Sequence, residues 1–78
     1  MTNMYQITYL ITWSDSDYGK FGFSIERQCY VGDLTNFHNV FMKHYDGNGI
    51  KDVTVLACEK VRDISDIDDN TNKTVLYE

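Results

Sequence analysis

Two histidines, two cysteines and a scatter of carboxylates are the side chains of this chain best suited to chemistry. A zinc centre needs four closely converging nitrogen or sulfur ligands. His38 and His44 stand six residues apart in one helical stretch and point in different directions, and no Cys-x-x-Cys is present. Thiol chemistry needs a cysteine held beside a general base. Cys29 or Cys58 with His38 would be the pair, but nothing in the local sequence singles out either thiol, and both are expected as small buried apolar residues.

Calcium loops fare no better. Asp46-Gly47-Asn48-Gly49-Ile50 imitates the middle of one, yet His44 and Val55 occupy the first and last ligand positions. In Asp66-Ile67-Asp68-Asp69-Asn70-Thr71-Asn72, Thr71 replaces the required glycine and Tyr77 the final carboxylate. The expectation is a chain with no catalytic residue, no cofactor and no metal site, hence no enzyme.

What remains is surface. Asp15, Asp17 and Tyr18 crown a turn, Glu26 projects from a strand, and Asp63, Asp66, Asp68 and Asp69 form an acidic run. These are the candidate partner-binding residues. The net charge is −5, of which −4 falls from Asp63 onward. That sign opposes direct binding of nucleic acid, which needs cations for the phosphates. No apolar run nears the ~20 residues that cross a bilayer, and no secretory leader is legible in the first residues. A cytoplasmic protein with reduced thiols, away from membranes, is expected.

The elements that must position these residues follow from periodicity. Tyr5, Ile7, Tyr9, Ile11 and Trp13 alternate with Gln6, Thr8, Leu10 and Thr12, which predicts a strand with the first set facing the core. Ser14 to Gly19 reads as a turn. A second strand runs from about Lys20 to Tyr30, with Phe21, Phe23 and Ile25 on its apolar side. Ser24, Glu26, Gln28 and Tyr30 are then expected on an open sheet face with Thr8, Leu10 and Thr12. Asp33 is a natural N-cap for a helix whose stripe is Leu34, Phe37, Val40, Phe41 and His44 or Tyr45. Val53 to Val61 is rich in β-branched residues and predicts a third strand.

The fold expected is α+β: a β-β-α-β domain over residues 1–62, with an antiparallel sheet in the order 2-1-3 and the helix on one face. Residues 63–78 form an acidic C-terminal segment with enough β character at Thr74 to Tyr77 for a short fourth strand. The fold is expected to survive removal of that segment, and any charge-dependent function to fail.

A compact, aromatic-rich, proline-free acidic chain without an active site resembles the small accessory proteins of bacteriophages, and in style the anti-CRISPR proteins. The resemblance covers residues 4 to 62 and the acidic segment. It implies a non-enzymatic inhibitor in the host bacterial cytoplasm. Such a protein would block nucleic-acid binding by a CRISPR effector or another host defence complex, with carboxylates taking the place of phosphates. The alternative is a protein-interaction module, homodimeric or adding a strand to a partner's sheet through the second strand.

Overall fold

The computed structural model describes residues 3–15, 20–45, 50–67 and 69–78. Strand β1 (Met4–Asp15) and strand β2 (Lys20–Val31) form a long antiparallel ribbon. A 3₁₀ turn (Leu34–Asn36) leads into helix α1 (Phe37–His44), followed by strand β3 (Ile50–Val61). A second 3₁₀ turn (Ile64–Asp66) precedes strand β4 (Asn72–Tyr77).

The sheet order is β3-β1-β2-β4. β1 pairs antiparallel with β2 and β3, whereas β4 pairs parallel with β2. The expected three-stranded antiparallel order 2-1-3 is therefore corrected to a four-stranded mixed sheet. The reason lies in Val75 and Leu76, which pair beside Cys29 and Tyr30 and carry the C-terminal segment into the sheet.

The core is an aromatic cluster between the sheet and α1. Ile7, Tyr9 and Ile11 of β1 are buried, as their alternation predicts. Phe37 and Phe41, one helical turn apart, pack on them. Tyr9 meets Phe41 edge-on at 4.8 Å between ring centres, and Tyr30 meets Phe37 at 5.2 Å. These tilted and edge-on arrangements suit the ring quadrupoles. Leu34 stays exposed, because the chain enters α1 through the 3₁₀ turn. Asp33 caps that turn, accepting from the Thr35 N–H at 3.0 Å.

One clasp ties β4 to the start of the helical segment. Gly32 has φ of +150°, a conformation that favours glycine, and an added Cβ would overlap the Glu78 side chain. The Glu78 carboxylate lies there, accepting from the Asp33 N–H at 2.7 Å and from the Asn36 side-chain amide. Tyr30 donates its hydroxyl to the Asp33 carbonyl at 2.8 Å.

The connection from β3 to β4 must cross the sheet, because those strands are its two outer members. A right-handed crossover puts this crossing on the face away from α1. Cys29 and Ile67, both buried outside the main cluster, mark the small second layer that results. Cys58 is exposed on β3, contrary to the expectation of two buried thiols.

Candidate interaction surface

A twelve-residue strand is about 40 Å long, while an eight-residue helix spans about 12 Å. α1 therefore covers only one end of the ribbon, and the molecule measures 43 × 23 × 19 Å. A strand presents one alternate set of residues to each face along its whole length. Burying Tyr30 beneath Phe37 assigns the even-numbered residues of β2 to the helix face, opposite Tyr5, Ile7, Tyr9 and Ile11. Phe21, Phe23 and Ile25 are thereby turned to the open face, with 85%, 73% and 61% of their surfaces exposed. This reverses the expected assignment of both sets. The misplaced apolar side of β2 is the feature that sequence reasoning missed. Its signal was length: a three-turn helical stripe cannot roof two twelve-residue strands.

The backbone edge adjacent to those side chains is also unpaired among the described residues. β4 begins its pairing at Gln28, so among the described residues no strand lies beside Lys20 to Glu26. The other outer strand, β3, differs in kind. Its register against β1 shifts twice, between Thr8 and Tyr9 and between Thr12 and Trp13, and it exposes Asp52, Glu59 and Lys60. Bulges and charges of this type discourage edge-to-edge pairing. β2 pairs with β1 without a register shift. On the helix face of this ribbon, the Trp13 indole lies against Gly22, where an added Cβ would overlap the ring. An aromatic ring laid over a strand glycine restores the packing that the missing side chain cannot supply.

Glu26 is exposed on the helix face rather than the open one, directly opposite Tyr9. It lines a cleft of about 480 Å³ with Tyr9, Tyr45, Ile50 and Thr71, at the notch where β4 joins the sheet. Burial raises the Tyr9 hydroxyl far above its ordinary range, and Glu26 adds to the effect. Tyr45 is raised by the same two causes in the same order. Tyr30 is raised by burial first, then by Glu78 and Asp33.

These shifts set an alkaline limit on stability. A tyrosine whose folded pKa is raised supports the fold fully below the unfolded value of ~10, and that support is lost as pH rises through the folded value. The urea midpoint is expected to hold level to about pH 9 and fall above ~10. Tyrosinate absorbance from these three should appear together with unfolding; its appearance in an intact fold near pH ~10 would contradict the assignment. In acid the sign is opposite. Asp52 is lowered by its hydrogen bonds to His38, at 2.8 Å, and to the Val53 N–H, and Asp33 by those from Thr35. Their support is present above ~4 and lost as pH falls through the depressed values.

Of the remaining candidate residues, Asp63, Asp66 and Asp69 have described side chains. Asp63, Asp66 and Asp69 are exposed along the β3–β4 crossing, where Asp63 accepts from the Ser65 N–H and caps the second 3₁₀ turn. Asp15 ends β1 with its side chain outside the described set, and Asp17, Tyr18 and Asp68 lie outside the described residues. His38 is engaged with Asp52. Partial desolvation of the exposed Cys58, and then Glu59, push its thiol up, which disfavours the reactive thiolate. Among the described residues, no three His, Cys, Asp or Glu side chains converge in a cluster that could hold a metal ion. No described helix is long and apolar enough to cross a membrane.

Neither a family model, a curated protein nor a solved structure matches this chain.

Proposed function

We propose that this protein acts by binding another polypeptide along β2, as a strand-adding interaction module. The observation that carries the reading is the conjunction at Lys20 to Glu26. A backbone edge that no described strand pairs lies there beside three outward apolar side chains at alternate positions, Phe21, Phe23 and Ile25. Added strands gain main-chain hydrogen bonds from such an edge and specificity from alternate side chains. Exposed apolar patches of this kind on small proteins mark interaction sites.

Phe23→Asp tests this. It places a charge in the middle of the stripe without touching the aromatic core, so the melting temperature should change by no more than a few degrees. Association with a protein partner, or with itself, should be lost. A variant that binds as before, or that melts far lower, would count against the reading.

A second reading uses a different surface, the β3–β4 crossing, and makes the protein an inhibitor, of the anti-CRISPR kind, of a nucleic-acid-binding complex. What favours it is the exposure of Asp63, Asp66 and Asp69 along one short crossing, where carboxylates could meet cations that otherwise hold phosphates. Reversing the three to Lys should then abolish inhibition and remove the salt dependence of binding. Inhibition unchanged by the reversal would eliminate phosphate mimicry.

A further inference from the structure

We infer that the strand which adds to β2 is β2 of a second copy, paired antiparallel about a two-fold axis at Phe23. The inference rests on the interaction reading above and names its occupant.

The register follows from symmetry. Two antiparallel copies in one sheet are related by an axis perpendicular to it, and directly opposed side chains share a face. The residue numbers of each opposed pair must therefore have an even sum. A sum of 48 would bring Lys20 of the second copy against Gln28, where β4 already pairs. A sum of 44 pairs only residues 20–24 within β2 and leaves Ile25 and Glu26 without a counterpart in that strand. A sum of 46 pairs Lys20 to Glu26 throughout, the uncovered length of the edge.

In that register the sequence complements itself. Phe21 opposes Ile25 of the second copy and Phe23 opposes Phe23, so the two exposed stripes merge into one apolar band on the open face. Aromatic and β-branched pairs of this sort stabilise antiparallel strands. On the helix face Gly22 opposes Ser24, and the register pairs backbone position 20 with Glu26 at both ends. The shifted register of 48 would set Arg27 against Phe21 instead. The merged sheet has eight strands, with the two α1 helices on one side.

Cross-linking reads the register directly. In a Cys58→Ser background, Phe23→Cys places two thiols opposite each other across the axis, with Cβ atoms about 4.5–5.5 Å apart, close to disulfide spacing. Mild oxidation should cross-link this variant. Phe21→Cys and Ile25→Cys should each resist cross-linking alone but cross-link when mixed. Sedimentation across a dilution series supplies a test that leaves the stripe untouched. Glu26→Lys sets like charges together twice and should weaken the dimer about tenfold or more, and Lys20→Glu with Glu26→Lys should restore it.

A chain that is monomeric throughout, cross-linking without preference for position 23, or failure of the charge exchange to restore association would each overturn the self-pairing. A monomer that still loses a different partner on Phe23→Asp would overturn it while sparing the interaction reading. A dimer indifferent to Phe23→Asp would overturn both.

Discussion

Removing residues 72–78 is expected to abolish cooperative unfolding. β4 supplies Leu76 to the main cluster, where it is almost fully buried against the sheet and α1. It also supplies the Thr74 carbonyl to the buried Gln28 amide, and the Glu78 N–H to the Val31 carbonyl at 3.0 Å. Without it, Gln28, Cys29 and Tyr30 lose their neighbour on that side, and Asp33 and Asn36 lose the Glu78 carboxylate. Leu76→Ala alone should cost about 2–5 kcal/mol. A domain this small commands a stability in the lower part of the ~5–15 kcal/mol range, so the full deletion exceeds what it can tolerate. Urea denaturation followed by circular dichroism measures this. A truncated chain with an unchanged midpoint would show that β4 only decorates the sheet. The outcome expected is the reverse of what the acidic composition of residues 63–78 suggests. Composition places charge, but Val75 and Leu76 within that segment do the docking.

Phe37→Ala is expected to be the most damaging single substitution in the helix, at about 3–5 kcal/mol. The ring is fully buried and touches three others: Tyr30 at 5.2 Å, Phe41 at 5.7 Å and Tyr9 at 5.9 Å between centres. Its loss leaves a cavity between the helix and both central strands. Leu34→Ala is the matched control, because the same sequence stripe contains both residues. Leu34 is substantially exposed on the 3₁₀ turn, and its removal should stay within about 0.5 kcal/mol, as for surface changes generally. Equal losses at the two positions would mean that the helix begins at Leu34 and buries its whole stripe. The comparison is read from urea midpoints at constant slope.

These two results bear on the proposed binding surface as well as on the core. The aromatic cluster and β4 clamp one end of the β1–β2 ribbon, and the other end projects beyond α1. Substitutions in the clamped half should therefore act on stability, and those at Phe21, Phe23 and Ile25 on association. Additivity between the two groups is the corollary, since distant sites without shared partners add.

Much of the architecture is legible in the sequence because periodicity is a local property. The alternation from Tyr5 to Trp13 is enough to make a strand and to choose the buried face at Ile7, Tyr9 and Ile11. The spacing of Phe37 and Phe41 is enough to orient the helix, and the β-branched run at 53–61 to make a third strand. The tertiary structure alone decided which face of β2 is buried. Phe21, Phe23 and Ile25 make the stronger local pattern, but Phe21 and Phe23 pair beyond Ile11, where the core cluster ends, and Ile25 shares their face. Tyr30 sits where Phe37 can cover it, and one strand cannot present both sets inward. Glu26 illustrates the same point, since its exposure is readable from its charge but its place beside Tyr9 and Tyr45 follows only from the register. The placement of β4 is likewise non-local, because pairing with Cys29 and Tyr30 brings together residues more than forty positions apart. The chain by itself thus determined its strands, its helix and its acidity; the unequal lengths of helix and ribbon determined which apolar residues were left exposed.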